Sequence, residues 1–206
     1  MNITAENFLK VFIEKTQNDR TIKIGSDVTR SFIDIYKYEG DITNKEFTEY
    51  INKTLIHEIV EKMCGNVNHE YFRIDTTGWV SNRITELEEA VNKRKLNYHC
   101  WDLKIAVEHE NDKNDWIDEI VKLAHIRCPL KIVIGYNNCD ERENECETLL
   151  NQLALPVLNR IDAFGSNEPD EFLVIFGNVK HNGISYDCAD YRGYLYNYKM
   201  KKFERI

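Results

Sequence analysis

Proline and glycine are scarce, three and nine in 206 residues, which leaves little chain for flexible linkers. A single domain with a core large enough to fold unaided is the expectation. No apolar run approaches the roughly 20 residues that a membrane span needs. The opening stretch, MNITAENFLKVFIEK, mixes acids and lysines into helical periodicity and has no basic segment ahead of an apolar one, so neither a span nor a signal peptide is expected. Cysteine pairs are absent too. Cys64, Cys100, Cys128, Cys139, Cys146 and Cys188 form no C-x-x-C, unlike structural zinc sites or disulfide-rich secreted scaffolds. Reduced, mostly buried thiols in a cytoplasmic protein are the expectation.

Several chemistries lack their signatures. There is no G-x-G-x-x-G and no G-K-[ST], so dinucleotide and Walker-type phosphate cradles have no support. No G-x-S-x-G elbow occurs. His57-Glu58-Ile59-Val60-Glu61 has a glutamate where a zincin helix needs its second histidine. A net charge of −8 argues against wholesale coating of nucleic acid but is compatible with a local basic groove, since phosphate affinity depends on where cations are placed.

What is present reads as an α/β chain. Residues 3–18 have the apolar stripe of an amphipathic helix (Phe8, Leu9, Val11, Phe12, Ile13). TIKIG suggests a short strand, SDVTRSFIDIYKYEG a second helix, and KEFTEYINKTLIHEIVEKM a longer helix closed by Gly65. YFRIDTTGWV is strand-like, holding Asp75. SNRITELEEAVNKRKL is helical, with Ser81 or Asn82 as cap and cations at its end, where the helix dipole favours them. CPLKIVIGYNN and EFLVIFGNVK read as strands, CDERENECETLLNQL as an acidic turn entering a helix, and ISYDCADYRGYLYNYKMKKFERI as a tyrosine-rich hairpin turning between Asp190 and Gly193. The division expected is a helical N-terminal extension (1–44), a core (45–136) and C-terminal elements completing the domain (137–206).

The stretch WDLKIAVEHENDKNDWIDEIVKL carries the chemistry. Leu103, Ile105 and Val107 alternate with polar residues, and side chains two apart on a strand share a face. Glu108 and Glu110 are therefore expected to project together from one end of an apolar strand, with Lys122 returning on an Asp115-capped helix. If the strand of Asp75 is a neighbour, three carboxylates meet at one sheet edge. Hard cations such as Mg²⁺ take oxygen ligands of this kind, polarise a phosphodiester and lower the pKa of bound water. A nearby lysine orients that water or offsets charge on the transition state.

Asp75, followed by Ile105-Ala106-Val107-Glu108-His109-Glu110, resembles the D…(D/E)-x-K signature of the PD-(D/E)XK, restriction-endonuclease-like superfamily. The resemblance covers about residues 45–136. It implies an α-β-β-β-α-β core, a mixed sheet flanked by helices, and Mg²⁺- or Mn²⁺-dependent endonuclease activity. It further implies metal ligation by Asp75, Glu108 and Glu110, and a contribution from Glu58 or Glu61 on the preceding helix. Glu110 stands where the signature has lysine; some members also have glutamate there, and others move the lysine to the next helix, as Lys122 is placed. The implied partner is DNA, with RNA and homodimerisation left open. The alternative is a catalytically inactive module of the same fold that binds a protein partner.

Simpler roles compete for the same residues. Glu58 and Glu61 have the spacing of surface charges beside Lys62, and Lys122 that of a snorkelling side chain. Asp75 can form a turn ahead of Thr-Thr-Gly. His109 faces away from its flanking acids and is expected to be packed or hydrogen-bonded. Asp102-Leu103-Lys104 offers a second D-x-K register, with Lys104 expected on the face of Glu108. Trp79, Trp101 and Trp116 are expected as core or rim aromatics, and the C-terminal tyrosines as one side of an amphipathic hairpin, with base stacking beside Lys199, Lys201, Lys202 and Arg205 as the other option.

Overall fold

The computed structural model describes residues 2–17, 21–24, 28–31, 44–81, 85–95, 101–112, 115–137, 145–160, 170–178 and 190–206. Its helices are α1 (Ala5–Gln17), α2 (Asn44–Tyr50), α3 (His57–Cys64), α4 (Thr85–Lys93), α5 (Trp116–Ala124), α6 (Glu145–Leu149) and α7 (Leu155–Leu158). A π-helical turn joins α2 to α3 (Ile51–Ile56) and another joins α6 to α7 (Leu150–Ala154). The strands are β1 (Thr21–Ile24), β2 (Val28–Ser31), β3 (Asn66–Tyr71), β4 (Ile74–Ser81), β5 (Trp101–His109), β6 (Leu130–Asn137), β7 (Glu171–Asn178), β8 (Tyr191–Asn197) and β9 (Lys202–Arg205).

Seven strands form one mixed sheet in sequential order, β3-β4-β5-β6-β7-β8-β9. β5, β6 and β7 are mutually parallel, and every other pairing in the sheet is antiparallel. Parallel neighbours require crossover connections, and α5 supplies the first, α6–α7 the second. Both crossovers bury their apolar residues on one face, where Trp116, Ile120 and Leu123 meet Leu150, Ala154, Ala106, Val133 and Val174. On the other face α1, α2 and α3 pack over Ile105, Val107, Ile132, Ile134, Leu173 and Ile175. The central strands, covered on both sides, are accordingly apolar at nearly every position. The α/β class and the flanked mixed sheet match expectation.

Among the described residues of the N-terminal segment, helix and strand both occur. α1 belongs to the main core: Phe12 packs edge-on against Tyr191 at 4.9 Å, and the first free helix amide, Ala5 N–H, donates to Glu171 on β7 at 2.6 Å. Thr4 caps the same helix, accepting from Asn7 N–H at 3.3 Å. Within the expected second helix, Val28–Ser31 is a strand paired antiparallel to β1; the rest of that segment lies outside the described residues. Gly65, at φ +85°, closes α3 as expected.

Two hairpins differ from expectation. YFRIDTTGWV is not one strand: Phe72 and Arg73 form a two-residue turn, with Tyr71 paired to Ile74, so β3 precedes β4 as a separate strand. The C-terminal hairpin turns at residues 198–201, not between Asp190 and Gly193, because Tyr191–Asn197 is continuous strand. Tyr191, Tyr194 and Tyr196 are buried in that hairpin, which makes them core residues. Cys64 and Cys128 are buried thiols. Cys146 is disulfide-bonded, a correction to the expectation of reduced thiols throughout.

Gly78 sets how closely α3 approaches β4. A Cβ there would lie 2.5 Å from Val60 Cγ1, 2.8 Å from Cys64 Sγ and 3.2 Å from Ile105 Cβ. Gly78→Ala is therefore expected to lower unfolding free energy by about 1–3 kcal/mol through overpacking, measured as a shift in the urea midpoint at constant slope.

Candidate active site at the end of strands β4 and β5

β4 and β5 run antiparallel with Thr76 opposite Val107, a register that sets Asp75 beside Glu108. Two backbone amides tie the pair together. His109 N–H donates to Asp75 Oδ2 at 2.8 Å, and Asp75 N–H makes a long contact of 3.4 Å to Glu108 Oε2. Glu108 is on the face covered by α5 and is only 2% exposed. Lys122, one turn from the end of α5, brings its Nζ to 2.9 Å from Glu108 Oε1 and 2.5 Å from Glu119 Oε2. The same ammonium donates to the Arg73 carbonyl in the β3–β4 turn at 3.2 Å. Asp75, Glu108 and Lys122, expected to meet, do meet.

Glu108 Oε1 and Glu119 Oε2 are buried yet neither receives a directed hydrogen bond. Each is paired instead with the Lys122 ammonium, which at 2.9 and 2.5 Å is the charge partner of both carboxylates. The electrostatics follow from this crowding. Burial, opposed by the Lys122 ammonium and reinforced by Asp75 and Glu119, pushes the Glu108 carboxyl up to about 8. Burial also raises Asp75, against the lowering effect of the His109 amide, with nearby Glu70 adding to the rise. Partial burial acts to lower Lys122, but Glu119 and Glu108 outweigh it and hold the ammonium above its usual range. The direction is toward a protonated Glu108 beside a charged Lys122.

Other expected residues are elsewhere. β5 ends at His109, so the alternation that would have kept Glu110 with Glu108 stops there. Glu110 Oε1 instead accepts from Asp112 N–H at 2.7 Å, and no contact among the described residues joins it to Asp75. Glu58 pairs with Lys15 of α1 and is 46% exposed, a link between helices away from the carboxylates. Glu61 lies 3.9 Å from His57. Lys104 is the extra residue of a bulge, since Gly78 pairs with Ile105 while Trp79 pairs with Leu103. The bulge reverses the facing, with Leu103 and Ala106 packing in one core layer and Ile105 in the other. That removes Lys104 from the face of Glu108, and it sits 3.7 Å from Asp102.

His109 behaves as expected. Its ring is buried on the opposite face, 2.9 Å from Tyr136 Oη, and desolvation pulls its pKa down to about 3. Trp116 is core, edge-on to Phe176 at 4.9 Å, and Trp79 is half-buried at the rim. Asp115 occupies the cap position of α5 without a side-chain cap bond. Glu119 and the Arg73 carbonyl are the participants missed. Glu119 was open to discovery, because residues three apart on a helix share a face and Lys122 was already in view. The carbonyl had no side-chain signal.

A hard divalent cation suits this donor set in kind. A cation, the Lys122 ammonium, already sits among three oxygens, two of them buried carboxylate oxygens. Mg²⁺ ordinarily takes one or two carboxylates and fills its shell with water and phosphate. No group of three His, Cys, Asp or Glu side chains among the described residues converges on one point, so the fit is to such a sparse site and not to a closed protein cage. Asp75 and Glu108, with Glu119 behind them, are the residues that would hold it.

The raised Glu108 pKa has a consequence for stability. Between its ordinary value of 4.5 and about 8, the folded state binds more protons than the unfolded chain, so stability falls as pH rises through that window. Melting temperature is expected to drop from about pH 5 to about pH 8, with a shallower slope in Glu108→Gln, which carries no titrating proton. Equal slopes in thermal melts of the two proteins would show that Glu108 is not the group responsible.

No protein-family model matches the chain, and no curated protein sequence is similar to it.

Proposed function

We propose that this protein is a metal-dependent nuclease of the restriction-endonuclease-like type, hydrolysing DNA phosphodiesters. One observation carries the reading: Asp75 and Glu108 from antiparallel strands meet Lys122 from the following helix at one end of the sheet. The chain order adds support. Among the described residues α3, β3, β4, β5, α5 and β6 run α-β-β-β-α-β, with α4 between β4 and β5 and the last strand parallel to the third.

Mg²⁺ or Mn²⁺, when bound, would supply Lewis-acid stabilisation of the phosphate and a more acidic water. The chain's own residues do the rest. Asp75 is oriented by the His109 amide, so its ligating geometry is set by backbone and not by a flexible partner. A bound cation would favour the ionised Glu108 carboxylate, any proton it held passing to solvent, since what raises its pKa is burial without enough countercharge. Lys122, kept in the site by Glu119 and the Arg73 carbonyl, would be the cation that faces the scissile phosphate or the attacking water. Glu110, in the signature's lysine position, is committed to the following turn, and Lys122 takes over that role.

Incubation of plasmid DNA with Mg²⁺ or Mn²⁺ is expected to give cleavage. Asp75→Asn, Glu108→Gln and Lys122→Met should each lower the rate by about 100-fold or more, with Glu110→Gln and Glu58→Gln changing it only a few-fold. Cleavage indifferent to Asp75→Asn and Glu108→Gln would remove the assignment. Absence of both cleavage and metal-induced thermal stabilisation would favour the inactive, protein-binding alternative.

A further inference from the structure

The β3–β4 turn carries residues that its backbone disfavours. Phe72 and Arg73 are the two central residues of the hairpin loop, at φ +53° and +62°, the signs a type I′ turn requires. Asn-Gly suits that geometry; a bulky aromatic in it is an outlier. Glu70, just before, is also left-handed at φ +54°. Backbone strain of this sort clusters at active sites and ligand clamps. Phe72 is also 80% exposed, so burial does not retain it.

The ring is nonetheless held in place. Phe72 stands edge-on to Tyr71 at 4.5 Å, and Tyr71 stands edge-on to Trp79 at 5.3 Å. Trp79 Nε1–H donates to Thr77 Oγ1 at 2.9 Å, and Thr77 shares a strand face with Asp75. The row of three rings therefore starts on the carboxylate side of β4 and ends at the turn whose Arg73 carbonyl holds Lys122. Arg73 adds an exposed cation beside the exposed ring.

We infer that Phe72 is a stacking platform for an unpaired nucleobase, backed by Tyr71, with Arg73 on the adjoining phosphate. This rests on the reading of the neighbouring site as one that acts on nucleic acid. An exposed aromatic face with a cation alongside is the pairing by which proteins hold single-stranded segments. The site would accordingly prefer forked or single-stranded DNA to blunt duplex, because stacked pairs in a duplex offer no free base face.

The test uses a forked DNA with 2-aminopurine in its unpaired arm, a blunt duplex of the same sequence, and Ca²⁺ in place of Mg²⁺. Wild-type protein is expected to bind the fork more tightly and to quench the 2-aminopurine. The double variant F72N/R73G installs the preferred turn, so it should melt no lower than wild type. It should bind the fork about ten-fold more weakly, lose the quenching, and lose clearly less on blunt duplex, where only the Arg73 charge is removed. Phe72→Trp should retain the quenching. Failure of wild type to bind the fork, equal fork binding by wild type and F72N/R73G, or an equal loss on blunt duplex would overturn the inference. Cleavage of plasmid that persists alongside any of these results leaves the nuclease assignment standing. Phe72-dependent quenching without cleavage in Mg²⁺ sustains the platform and removes the nuclease.

Discussion

A single ammonium stands between a buried carboxylate, Glu108, and a part-buried one, Glu119. Lys122 is within 3 Å of oxygens from both Glu108 and Glu119, and Asp75 lies close behind. Removing that much negative charge from water is expensive, and one cation does not offset it. The result is a Glu108 carboxyl raised above its usual range. A protein selecting only for stability would place apolar residues here, since well-packed hydrophobic replacements for buried ion pairs are often neutral or favourable. On the proposed reading, the retained imbalance is what would draw a divalent cation to this end of the sheet.

The fold arranges this with few parts. The hydrogen-bonded register of β4 on β5 sets Asp75 beside Glu108, and the crossover from β5 to β6 brings α5 back over the same face. Apolar contacts of Trp116, Ile120 and Leu123 seat that helix, and Lys122 rides on it at a position fixed by packing. The site is thus built on strands and a helix with rigid support, an arrangement that holds geometry better than loops do. The opposite face contributes through backbone alone: His109 buries its ring near Tyr136 while its amide orients Asp75.

The β3–β4 turn connects this site to the surface at a cost in backbone conformation. Its Arg73 carbonyl reaches Lys122 while its Phe72 ring faces solvent, so the same two residues serve the interior and the exterior. The contact with Lys122 needs only the backbone. The aromatic side chain is separable from it, and its presence calls for a reason beyond the fold.

Periodicity was enough to read the central strands, α1, α5 and the Gly65 stop, because two-sided burial and helical spacing leave direct marks in composition. It was also enough to single out Asp75, Glu108 and Lys122. The turn at Phe72-Arg73 was illegible because it lacks the Asn or Gly that left-handed turns normally show, and the role of β2 was hidden by helix-compatible spacing. The exclusion of Lys104 came from a one-residue bulge, and that of Glu110 from where β5 stops. Both are outcomes of pairing with β4 and β6. Residue types and local spacing thus established that acids and a lysine end consecutive apolar elements. Which acids share a pocket with that lysine was settled by strand register and helix packing, which are non-local and leave no mark on the spacing of a single segment.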